Sequence, residues 1–215
     1  MTDKTPLLVE LLLLFVGMPL LYMVLPWRFS PLPALWLAAL YCVLVLHHAP
    51  AAQVSLWNAK PLASSLTNVL VIFAVVAVLL TIAVWRLRPN LLFGFVRTHP
   101  AFWAVVMVLY PILSVYPQGI IYRAFFVWRY RTLFPSPVAI IVASAAAFAF
   151  SHIIFRSSWS VLLTFAAGLL FAWRYSVTDS LPVSSLEHAL YGCFMFTVGL
   201  GGLFYHGAGA AAFRR

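Results

Sequence analysis

From Leu66 to Trp85 the chain carries no charged side chain, and Arg86, Arg88 and Pro89 close the run abruptly. About twenty apolar residues in helical conformation match the thickness of a bilayer's hydrocarbon core. Comparable runs recur along the chain. Pro6 to Leu25 is closed by Pro26 and Arg28, and a shorter run, Leu32 to Leu46, ends in His47 and His48. Two more, Pro137 to Phe155 and Val161 to Tyr175, contain small-residue patches (Ser144 to Ala147 with Ala149; Ala166 to Gly168) of the kind that lets membrane helices approach closely. A last run extends from Pro182 to Tyr205, behind a Thr178-Asp179-Ser180 turn suited to capping it. With 65% hydrophobic and 8% charged residues and a mean hydropathy of +1.03, a soluble domain is excluded. The sequence predicts an all-α polytopic membrane protein of about seven spans in a single domain, residues 1–215.

The net charge of +9 would suggest a nucleic-acid partner in a soluble chain. Here Lys and Arg stand at the ends of apolar runs, as anchors to headgroups do, and no basic patch with interleaved aromatics is present. The expected partner is membrane lipid, with no nucleic acid. Placing Arg28, Arg86, Arg88, Arg97, Arg156, Arg214 and Arg215 against Lys4, Lys60, Arg129, Arg131 and Arg174 favours a cytoplasmic C-terminus by a small margin. Asp3 and Lys4 precede an apolar run in the manner of a signal peptide, but Glu10 interrupts it and no small-residue cleavage site is clear, so it reads as a retained span. Cys42 and Cys193 lie in apolar runs without CxxC spacing and read as small core residues.

Chemistry-bearing side chains concentrate in the second half. Residues 100–133 form a helical stretch of about 50 Å at 1.5 Å per residue, longer than one hydrocarbon thickness. Pro111 and Pro117 should kink or break it, giving a span from Ala101 to Val115 and a bent continuation that carries Gln118 to Arg131 into the interface. Gln118 and Tyr122 share one face of that continuation, and Gly119 and Arg123 share the adjoining strip. Arg123 either snorkels to the interface or takes a partner from another helix. Downstream, Ser144, Phe148 and His152 are spaced for one face, as are His188, Gly192 and Met195; Glu187 points about 100° away from His188. Ionisable groups inside a span cost about 2.5–3.5 kcal/mol each on insertion scales, so their recurrence on three helices points to a site.

Order and spacing of these residues resemble the CPBP intramembrane proteases, which include CAAX-processing endopeptidases, bacteriocin-processing or immunity proteins and abortive-infection proteins. The family pattern is Glu-Glu-x-x-x-Arg, Phe-x-x-x-His and His-x-x-x-Asn on separate helices. Gln118, Gly119 and Arg123 occupy the first, Phe148 and His152 match the second, and His188 and Gly192 occupy the third. Thr178-Asp179-Ser180-Leu181 resembles the family's Thr-x-Ser-Leu segment. The resemblance implies a CPBP-type helical bundle with an intramembrane cavity, in which residues 1–99 are scaffold and 100–205 the catalytic core. It further implies a glutamic-type intramembrane endopeptidase, in a bacterial plasma membrane, acting on a membrane-anchored or C-terminally sorted peptide.

In that reading His152 and His188 hold a water, Arg123 organises the site, Gln118 orients water or substrate, and Tyr122, Phe148 and Gly192 line the pocket. Neither family glutamate is present, however, and Gln118 cannot accept a proton from water. Gly192 likewise lacks the amide of the family asparagine. Glu187 could supply the missing base. Alternatively, the chain is a catalytically silent pseudoprotease that binds a peptide or lipidated tail. No cofactor is expected. Zinc at His152 and His188 is disfavoured, because adjacent Glu187 and His188 cannot readily share a metal and two histidines fall short of the usual three protein ligands. A third possibility, haem or a small solute held by the two histidines, ranks last.

Overall fold

The computed structural model of the chain describes residues 4–24, 30–48 and 56–205. Pro26 and Arg28, Gln53 and the tail ending in Arg214 and Arg215 lie outside these residues. The described chain is helical throughout: α1 (Thr5–Val24), α2 (Leu32–His47), α3 (Leu62–Leu87), α4 (Pro100–Leu133), α5 (Pro137–Phe155), α6 (Ser158–Thr178) and α7 (Leu181–Val198). A short helix, Gly94–Thr98, joins α3 to α4. Five of these (α1, α3, α4, α5 and α6) are long and apolar enough to cross a membrane; α2 is shorter, and α7 is diluted by serines, Glu187 and His188. This is an integral multi-pass membrane protein.

Exposure follows chemistry. α3 presents Val71, Val75, Val78, Leu79 and Ile82 outward, as lipid contact requires, and α1 is similarly exposed. The least apolar helix, α7, packs against α3, α4 and α6. Its polar side chains are thereby removed from lipid, which is where membrane helices keep such groups.

Local signals explain the helix ends. Ser136, Ser157 and Ser180 each accept a backbone N–H three residues on, capping α5, α6 and α7, and Pro137 and Pro182 sit just inside two of those caps. α7 stops at Val198 rather than near Tyr205 because Gly199 turns left-handed (φ 109°). Close approach of α5 and α6 occurs at Gly168, where an added Cβ would lie 3.1 Å from Ala145 Cα. The small residues of the two spans permit this contact.

One expectation fails in an informative way. α4 does not break at its prolines. It runs from Pro100 to Leu133, with wide π-type turns at Pro111–Val115 and Ile120–Phe125, and Ile120 to Phe126 are all buried. The carbonyls that Pro111 and Pro117 leave without their usual helical partners, those of Met107 and Leu113, find donors on neighbouring helices. Cys193 Sγ lies 3.9 Å from the Met107 oxygen, and Trp36 Nε1 donates to the Leu113 oxygen at 3.0 Å. Such substitute donors are what makes proline tolerable inside a membrane. Replacing the indole by a phenyl ring tests this: Trp36→Phe should lower stability by about 1–3 kcal/mol, the cost of an unsatisfied carbonyl, read as a lower unfolding temperature in detergent.

Candidate active site

The second π-type turn of α4 widens the helix where it faces α5 and sets Tyr122 and Arg123 inside the bundle. Ser144 Oγ donates to the Tyr122 carbonyl at 2.6 Å and locks α5 to this turn. Phe148, one helical turn along α5, reaches the centre. Its ring meets Tyr122 (5.3 Å between centroids), His152 (4.7 Å) and His188 (5.4 Å), all edge to face.

His152 ends the regular part of α5. Its Nδ1 lies 2.7 Å from the Phe148 carbonyl, which can only accept, so Nδ1 carries the proton and Nε2 is left as the basic nitrogen. His188 is stacked on Phe171 (4.7 Å, 24° between planes), and its Nε2 is 3.4 Å from the Tyr110 hydroxyl. Gln118 donates from Nε2 to Ser114 Oγ at 2.7 Å, while its Oε1 is buried without a hydrogen-bond partner among the described residues.

These groups share a cavity of about 700 Å³ walled by α1 to α7 and lined mainly by apolar side chains. Gln118, Tyr122, Phe148, His152, His188 and Gly192 all border it. Few polar groups converging in a mostly apolar hollow of this size is the usual form of a ligand site.

Three of the residues singled out in the sequence stand outside the lining. Arg123 is 1% exposed, its guanidinium 4.3 Å above the Phe148 ring and 5.3 Å from that of Phe171. Its Nη1 donates to the Gln118 carbonyl at 3.4 Å and its Nη2 has no partner among the described residues. It is therefore a buried cation held by aromatic faces, not a snorkelling one. Gly119 faces α7, where an added Cβ would sit 2.9 Å from both Leu181 Cδ1 and Ser185 Oγ. Of the two motif positions, then, 118 opens to the cavity and 119 abuts a helix. Glu187 is fully buried against Arg174, which donates twice to it, Nε at 2.8 Å and Nη2 at 3.0 Å.

Several contributors were not singled out from sequence. Tyr110 and Ser114 extend the Gln118–Tyr122 face at four-residue intervals, and all four line the cavity; that extension was visible in the spacing. Arg174 could have been flagged as a cation at the end of an apolar run, shortly before a helix with one carboxylate. Among the described residues no three His, Cys, Asp or Glu side chains come together as a metal-ligand group. The pocket thus offers two imidazoles, fewer than the three protein ligands usual for catalytic zinc, and no step is drawn through a metal.

With this geometry in place, the comparison with known families becomes specific. Residues 99–194, from the start of α4 into α7, match the family described as type II CAAX prenyl endopeptidase Rce1-like. The match supports the resemblance to the CPBP proteases over these residues. No curated protein and no solved structure matches the chain. The match reaches all three motif helices, and the helical bundle is consistent with a CAAX-type intramembrane protease fold.

The Arg174–Glu187 pair generates a prediction. Glu187→Ala should destabilise by about 3–5 kcal/mol, because it leaves Arg174 charged and buried. The double variant Arg174→Met/Glu187→Leu should recover most of that loss in a thermal unfolding series.

Proposed function

We propose that the cavity receives the chain end of a membrane-anchored, lipid-modified peptide, as a type II CAAX prenyl endopeptidase does, and that this sequence holds the peptide without cutting it. The observation carrying this reading is that no Asp or Glu lines the cavity among the described residues. Gln118 faces the hollow where a general base would be needed, and it has no proton-accepting group. Glu187 is a poor substitute, since both its oxygens are engaged by Arg174 on the side away from the lining. Under this reading His152 and His188 orient a water or the substrate carbonyl, Gln118 offers hydrogen bonds to the same groups, and Arg123 braces Phe148 from behind. Residues 100–205 form the core and 1–99 the surrounding scaffold. The expected setting is a bacterial plasma membrane, and zinc stays outside the scheme.

The alternative, a working endopeptidase, differs in one measurable respect. A library of membrane-anchored peptides, farnesylated Cys-a-a-X peptides among them, would be incubated in proteoliposomes and followed by mass spectrometry. The unmodified chain should bind peptide and leave it intact. Gln118→Glu should raise cleavage by about 10²–10⁴-fold, the usual contribution of a positioned general base. Adding His152→Ala or His188→Ala should abolish the gain. Gly119→Glu should not substitute for it, because position 119 faces Leu181 and Ser185. Cleavage by the unmodified chain would overturn the silent reading. Absence of both binding and cleavage in every variant, beside an active family protease on the same library, would overturn the peptide-site reading.

A further inference from the structure

We propose that Tyr110 is the positioning residue for His188, and that Gly192 is a glycine because the tyrosine needs its space. The inference rests on reading the cavity as an endopeptidase-type site.

Gly192 lies one helical turn beyond His188, so a side chain there would be the natural brace for the imidazole from its own helix. A Cβ built at 192 would overlap the Tyr110 ring and hydroxyl. The volume beside His188 therefore holds one group only, and in this chain that group comes from α4. Tyr110 is held edge-on to His188 (6.4 Å, 85°) and packs against Phe196 at 5.4 Å. It also borders the cavity, as the first member of the stripe that continues through Ser114, Gln118 and Tyr122.

Aromatic packing leaves one property of His188 undetermined. Stacking on Phe171 and edge contact with Phe148 fix the ring plane, but neither ring can choose which nitrogen carries the proton. A hydrogen bond can. The Tyr110 hydroxyl, 3.4 Å from Nε2, can donate or accept there, and the role assigned to it is the donor's. As donor it holds Nε2 bare and keeps the proton on Nδ1, the same tautomer that the Phe148 carbonyl imposes on His152. Both imidazoles then carry their proton on Nδ1, with the Nε2 of His188 held by the Tyr110 hydroxyl.

Two measurements decide this independently. In ¹⁵N-histidine-labelled protein in nanodiscs, with the His188 signals assigned by loss in His188→Gln, the unmodified chain should show the Nδ1–H tautomer, and Tyr110→Phe should shift His188 toward Nε2–H. An unchanged tautomer in Tyr110→Phe overturns the proposal whether or not any variant cuts peptide. In the Gln118→Glu background, Tyr110→Phe should lower kcat by about 10–100-fold with KM unchanged, the range associated with losing a group that orients an imidazole. Gly192→Asn should unfold at a lower temperature than the unmodified chain, and Tyr110→Ala/Gly192→Asn should restore folding and part of kcat relative to Tyr110→Ala alone. If Gln118→Glu stays inactive, the endopeptidase reading fails while the tautomer still decides the role of Tyr110. If Gln118→Glu cuts and Tyr110→Phe cuts equally well, the positioning role is wrong.

Discussion

The ring of Phe148, 1% exposed, is the contact on which the site depends. It separates and aligns the two imidazoles, closes against Tyr122 and carries the Arg123 guanidinium on one face. A cation on an aromatic face in a desolvated setting gains about 2 kcal/mol. That partly offsets burying Arg123 without a carboxylate. Position 119 is glycine, so aromatic faces take over work that an acidic neighbour would do elsewhere. The arrangement keeps the cation behind the cavity wall, where it shapes the site without occupying it.

Two carboxylates elsewhere in the bundle are matched tightly. Glu10 of α1 receives Arg129 at 2.7 Å and 3.1 Å and the Tyr130 hydroxyl at 3.1 Å, and Glu187 receives Arg174. Two of the chain's four acidic residues are thus engaged in holding helices together. Among the described residues no carboxylate lines the cavity, which is why the identity of residue 118 carries such weight.

Much of the bundle was legible in the sequence because lipid imposes a simple rule on length and polarity. α5 was bounded correctly by Pro137 and Phe155, and the Ser180 cap by its turn. Phe148 and His152 were recognisable as neighbours from their spacing alone. Contacts between helices were not legible. Arg174 looked like a loop-end cation because its partner sits on the next helix, and Glu187 looked available for the same reason. The prolines of α4 were expected to bend the chain outward. The donors that satisfy its freed carbonyls, Trp36 and Cys193, lie 77 and 86 residues away, and no local pattern announces them. Tyr110 escaped notice because it ends an apolar run, and its significance depends on a missing side chain on another helix.

The bidentate pair joining α6 to α7 also bears on biogenesis. Arg174 near the end of one helix and Glu187 near the start of the next are separated by a tight turn at Asp179 and Ser180. Released singly into lipid, each helix would bring an uncompensated charge with it. Released together, they enter already neutralised. The two should therefore leave the translocation machinery as one hairpin, with the ion pair formed before either helix meets hydrocarbon.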